Sequence, residues 1–163
     1  MQIIKDKKII EDHWRYVADD AELPQGDITV STNRWRKEKP QLLKREGKIG
    51  LRIDSTEPIE DIADDLDLLR LIELNFSTFT DGRSFTQAWL LRNRYNFTGE
   101  IRAVGNFMVD QVFYLYRTGV NAFALEHTDK LPVALSTLND FSVAYQSSVN
   151  QPGKAAPRQP GIH

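Results

Sequence analysis

Cysteine is absent from all 163 residues. That absence alone removes disulfides, thiolate-held zinc, a thiol nucleophile and any iron–sulfur cluster carried on cysteines of this chain. No apolar run approaches the ~20 residues that a membrane-spanning helix needs. The opening MQIIKDKKII also lacks the apolar h-region of a secretory signal. The expected compartment is the cytoplasm, with no membrane partner. Charge of one sign is not in excess either: 21 basic against 23 acidic residues leave a net charge of -2, which gives no whole-chain attraction to nucleic acid. G-x-G-x-x-G, P-loop and G-x-S-x-G runs are missing, and with them the standard dinucleotide, nucleotide and serine-hydrolase signatures. His13, His127 and His163 stand far apart, and only the loose Glu126-His127-x-Asp129 group approaches ligand spacing, so no metal site is expected.

What is present is an alternation of short β-rich runs with helical runs, the pattern of βα units and parallel pairing. Residues 1–26 read as an N-terminal hairpin and linker, with Ile3-Ile4 and Ile9-Ile10 flanking a charged turn and His13 to Val17 extending its second strand. The hairpin serves as a lid or an edge. One α/β domain is expected over 1–146. The tail 147–163, rich in Pro and Gly with few apolar anchors, is expected to be disordered.

Five units follow the hairpin. Ile28 to Ser31 is a strand, with a helix between Trp35 and Glu46 that Pro40 starts or kinks. Ile49 to Ile53 is the second strand, followed by a helix over Pro58 to Arg70 with Ile59, Ile62, Ala63, Leu66 and Leu69 on one face. Leu71 to Phe76 is the third; its helix starts at Ser84, since Ser84-x-x-Gln87 fits a capping box. Glu100 to Val104 is the fourth, with a helix from about Phe107 to Arg117, Asn106 as N-cap and Gly119 as stop. Ala122 to Leu125 is the fifth, before a helix that begins near Asp129.

The strands carry a message about the sheet. Parallel strands covered on both faces read as continuous apolar runs, but Ile49, Leu51 and Ile53 alternate with Gly50, Arg52 and Asp54, and Ile72, Leu74 and Phe76 with Glu73 and Asn75. One face is oily and the other charged, so helices cover one face only. The expected fold is α/β with a parallel sheet curled as a partial (βα) barrel, closed by the hairpin or by a second subunit in a homodimer. The alternative is a doubly wound open sheet.

Ligands in such folds sit at the carboxyl ends of strands. The Asp81-Gly82-Arg83 loop precedes a helix start, where free N–H groups and the helix dipole suit an anion such as phosphate, sulfite or a cofactor's pyrophosphate. The bland reading makes Asp81-Gly82 a turn and pairs Arg83 with a carboxylate. Gly105, Asn106, Asp110 and Gln111 form a second candidate junction. Arg102 falls mid-strand beside Arg52, Glu73 and Asn75, with Asp54 at the strand end; these hold an oxyanion with Glu73 as base, or else form an internal ion-pair ladder, the commoner arrangement. The acidic run from Glu60 to Asp67 is a solvated face or a dock for a basic partner. Trp89 and Phe85, at helical spacing, read as core.

The residues FSTFTDGRSFTQAWLLR, then FTGEIRAVGNFMVDQVFYL and TGVNAFAL, resemble a bacterial family encoded beside the haem-containing sulfite reductase of assimilatory sulfate reduction. Members of that family are described as oxidoreductases of sulfite reduction. The resemblance covers about residues 49–145 and is most specific at Asp81-Gly82-Arg83 and Arg102 to Gly105. It implies a role in sulfur metabolism beside sulfite reductase or its electron donor. A redox role for this chain itself would need a flavin bound without a standard motif, or a partner's cofactors. Where the chain has Asn106 the family commonly has Asp, which speaks against a catalytic carboxylate there; an N-cap tolerates both.

Overall fold

A computed structural model describes residues 1–77 and 82–144. The chain opens with an antiparallel hairpin, β1 (Gln2–Lys5) and β2 (Lys8–Glu11), turned through Asp6 and Lys7 at positive φ. A two-residue strand β3 (Arg15–Tyr16) follows, then β4 (Ile28–Ser31), β5 (Ile49–Asp54), β6 (Leu71–Phe76), β7 (Glu100–Gly105) and β8 (Ala122–Phe123). Helices α1 (Thr32–Lys44), α2 (Arg83–Asn93) and α3 (Val112–Thr118) are interleaved with these strands, and α4 (Leu131–Ala144) comes last. The order across the eight-stranded sheet is β2-β1-β8-β7-β6-β5-β4-β3.

From β3 to β8 neighbours in space are neighbours in sequence and all run parallel. Right-handed crossovers between strands in unbroken order put every connection on the same face. A doubly wound sheet needs a reversal of strand order, and this sheet has none. The antiparallel β1 and β2 make the sheet mixed, so it departs from a clean βα repeat.

The sheet is strongly curled, and the chain itself supplies the proof. Glu11 ends β2 at one edge and Arg15 opens β3 at the other, a separation that four Cα steps limit to about 14 Å. Eight flat strands would hold their edges roughly 34 Å apart at the usual spacing of about 4.8 Å. Residues Asp12 to Trp14 thus strap the two edges of a half-barrel together, with strand tilt carrying the end of one edge to the start of the other. His13 to Val17 does not extend β2 as the apolar pattern suggested. Arg15 and Tyr16 pair with Ile28 and Thr29 instead.

The convex face buries the core. Ile28, Val30, Leu51, Ile53, Ile72, Leu74 and Ile101 point one way along their strands and pack with Trp35, Leu91, Leu115 and Leu138 from the helices. Helix α1 kinks at Glu38 (φ -119°, ψ 18°), two residues before Pro40, as the ring's clash with the preceding turn requires. The expected helix over Pro58 to Arg70 is replaced by two 3₁₀ turns, Ile59–Asp61 and Ala63–Leu68. Glu60, Asp61, Asp64, Asp65 and Asp67 crowd that stretch with like charge and poor helix formers. Its apolar residues Ile59, Ile62, Leu66 and Leu69 are nonetheless buried.

Candidate functional site

The polar residues singled out in the sequence fall in three regions, which differ in kind. The first is the concave face of the half-barrel. Strand register sets Ser31, Arg52, Glu73, Arg102 and Ala122 side by side. Arg52 Nε donates to Glu73 Oε1 at 3.0 Å, and Thr29 Oγ1 donates to the same oxygen at 2.8 Å. Arg102 Nη2 lies 2.6 Å from Glu100 Oε2, and its Nη1 lies 2.9 Å from Asp12 Oδ2 and 4.0 Å from Glu73 Oε2. Lys5 Nζ closes the set on Glu100 Oε1 at 3.2 Å, and Asn75 Nδ2 donates to Asp54 Oδ1 at 3.0 Å. Arg102 is only 2% exposed and Glu73 4%.

Lys5, Arg52 and Arg102 are matched here by Asp12, Glu73 and Glu100, so each buried charge has an opposite neighbour. Mutual compensation is what low-dielectric burial of charge demands. Tyr16 lies over Arg52 with the guanidinium carbon 4.1 Å from the ring centroid, a cation–π contact. Partial burial raises the Tyr16 phenol above its usual value, with the Arg52 charge pulling the other way. Of the two expectations for this face, the geometry matches the ion-pair ladder.

The second region is a cleft of about 770 Å³ at the carboxyl ends of β7 and β8. Gly105, Asn106 and Asp110 line it from the strand–helix junction, together with Met108 and Tyr114. Glu126, His127, Lys130 and Val133 line it from the segment after β8 and the start of α4. Buried Phe107, Phe113 and Leu125 also line it. Phe107 stands 5.7 Å from Phe76 and 6.2 Å from Phe123, ring centre to ring centre, so an aromatic column joins the cleft to the core. Among the described residues, the side chains of Asp110, Glu126, His127 and Lys130 have no hydrogen-bonding or ionic partner.

Local chemistry shapes the junction. Gly105 adopts φ +88°, and a Cβ there would lie 2.6 Å from Phe76 O and 2.7 Å from Asn75 Oδ1; only glycine allows so close a passage. Asn106 does not cap a helix as expected. Its N–H bonds Phe76 O at 2.8 Å, and the chain runs on through a 3₁₀ turn, Val109–Gln111, into α3. Gln111 supplies the cap, accepting the Met108 N–H on Oε1 at 2.7 Å, so it serves the junction without lining the cleft. The end of α3 is fixed by Arg92, which donates to the carbonyls of Gly119, Phe97 and Gly99 at 2.7 to 2.9 Å. Burial lowers the Arg92 pKa to about 10.

The third candidate, Asp81-Gly82-Arg83, is only partly visible, since Asp81 lies outside the described residues. Gly82 is the N-cap of α2 and Arg83, exposed, its first residue. The capping box expected of Ser84 and Gln87 is not made. Gln87 Nε2 instead donates to Asp54 O at 2.8 Å and Glu57 O at 2.9 Å, tying α2 to the loop after β5. Trp89, expected in the core, is 41% exposed, whereas Phe85 packs edge-on against Phe76. Tyr114 and Lys130, which line the cleft, were not singled out in the sequence, and His127 was considered there only as a metal ligand. Among the described residues no three metal-ligating side chains cluster, and no helix is long and apolar enough to cross a membrane.

The fold is thus an α/β half-barrel with a cleft of about 770 Å³ at the carboxyl ends of β7 and β8. The chain belongs to the family described as bacterial protein of unknown function (DUF934), which matches residues 50–155. No curated protein and no solved structure matches the chain.

Proposed function

We propose that the protein is an accessory protein of assimilatory sulfite reduction that works with sulfite reductase or its electron donor, with the rim cleft as its working site. The observation that carries the site is the pairing contrast. Charges on the concave face are mutually satisfied, whereas those around the cleft are left open to a ligand. A largely apolar cavity of this size with a few polar groups on its lining is the usual setting of a small-molecule site. The pathway is supported by the resemblance carried in FSTFTDGRSFTQAWLLR and FTGEIRAVGNFMVDQVFYL.

The test is genetic and biochemical together. Deleting the gene should slow growth on sulfate or sulfite as sole sulfur source and leave growth on sulfide normal. A tagged copy from sulfate-grown cells should co-purify with sulfite reductase or its electron donor. Unchanged growth on sulfate, with neither protein recovered, would overturn the reading. The second reading, a small enzyme that binds phosphate, a sulfur oxyanion or a flavin, is favoured by Lys130 and His127 on the cleft wall. It would use this cleft in place of Gly82 and Arg83.

A further inference from the structure

The lining of the cleft restricts what can fill it. Phe107 and Phe113 are buried where they line it, while Met108 and Tyr114 on the same lining are 46% and 61% exposed. Rings and a thioether on the lining present flat, polarisable surface, which favours contact with another ring over contact with a small hydrated ion. Lys130 and His127 line the cleft from a different segment, after β8, and are solvent-exposed. Asp110 and Glu126 line the same space. An inorganic oxyanion is held well by converging, desolvated donors. Here one would meet an exposed lysine and histidine, two competing carboxylates and a volume of about 770 Å³ that leaves it mostly in water.

Resting on the cleft as the working site, we propose that its ligand is a flat aromatic molecule with one anionic arm, of mononucleotide size. The ring would lie against Tyr114 and Met108 and the arm would reach Lys130 and His127. The two recognition elements sit on different segments, α3 and the approach to α4, so ring and arm are read separately. A cavity of this size falls in the range of about 300–1,000 Å³ usual for organic ligands.

Separate reading makes the proposal testable with four probes on the full chain. Flavin mononucleotide and adenosine monophosphate carry ring and arm, riboflavin carries a ring without the phosphate, and inorganic phosphate carries the charge alone. At fixed low ionic strength, at least one of the two mononucleotides should raise the melting temperature and give a saturable titration, and phosphate and sulfite should not compete at equal concentration. Lys130→Ala should weaken the mononucleotide about tenfold, near 1.4 kcal/mol, and change riboflavin binding less than about twofold. Tyr114→Ala should weaken ring-bearing ligands with and without the arm. Both side chains are exposed, so circular dichroism should show both variants folded. Absence of binding by either mononucleotide at millimolar concentration would overturn the proposal, as would competition by phosphate or sulfite, or binding that survives both substitutions. Failure of the sulfite-reduction reading would show instead as unchanged growth of the deletion strain, which leaves these titrations untouched.

Discussion

Asp12 Oδ2 lies 2.9 Å from Arg102 Nη1, so the strap that joins the two edges of the sheet is anchored on β7, one of its two central strands. Asp12 also accepts the Trp14 N–H on Oδ1 at 3.1 Å, shaping the strap as it holds it. Curl is therefore maintained by a covalent bridge and an ion pair acting at the same place. Asp12→Ala leaves a buried guanidinium with less compensation and should cost about 2–3 kcal/mol. Urea denaturation reads this as a lower midpoint; an unchanged midpoint would show that the strap carries no load.

Glu73 is the hub of the same face, with Thr29, Arg52 and Arg102 around it. Removing one partner of a buried set is costlier than removing the set. Glu73→Ala should lose about 3–5 kcal/mol, while Thr29→Val, which removes one neutral donor, should lose about 1 kcal/mol. Comparable small losses for both would mean that Glu73 is not the central counter-charge.

Acid sensitivity should arise at α1. Partial burial opposes ionisation of Asp65, but hydrogen bonds from Lys39 and the Trp35 indole, with the Lys39 charge, outweigh it and lower the pKa below 3.8. A carboxylate depressed in the folded state stabilises fully above its unfolded value and loses that contribution as pH falls through the folded one. Asp65→Asn should therefore melt below the parent at pH 7, and the gap should close as pH drops below about 4. A gap that stays constant down to pH 2 would contradict the assignment.

Gly105→Ala tests how the cleft is built. The methyl would press on Phe76 O and Asn75 Oδ1 at a backbone angle that favours glycine. The expected cost is about 1–3 kcal/mol, with the β7 to α3 junction displaced. Nuclear magnetic resonance shifts should concentrate at residues 105–114 and around Phe76; a spectrum and stability like the parent's would show that the passage tolerates a side chain.

The sheet was legible in the sequence because each strand states its two faces locally. Leu51 and Ile53 against Arg52 and Asp54 is a period of two that no other structure satisfies, and with unbroken strand order it leads to a half-barrel covered on one side. What stayed hidden depends on distant partners. Arg15 and Tyr16 form too short a strand to read, and its place beside β4 is set by the curl. Gln87 satisfied a local capping pattern on paper, yet its amide serves carbonyls at Asp54 and Glu57, some thirty residues back in the chain. Ile59 to Leu69 kept its buried residues while losing its α-helix, because burial follows the apolar side chains and helix type follows the crowded carboxylates. Of the cleft, Gly105, Asn106 and Asp110 were readable as a strand–helix junction. Tyr114, His127 and Lys130 join them only through the packing of α3 and α4 around that junction.

If the rim cleft, and not the polar strand face, is the proposed working site, complementation of a deletion strain on sulfate should separate the Tyr114→Ala, Lys130→Ala double variant from Thr29→Val, a polar-face change mild enough to leave the protein folded. The folded cleft variant should fail to restore growth on sulfate while Thr29→Val restores it. Full restoration by the cleft variant, at parent expression level, would contradict the proposal.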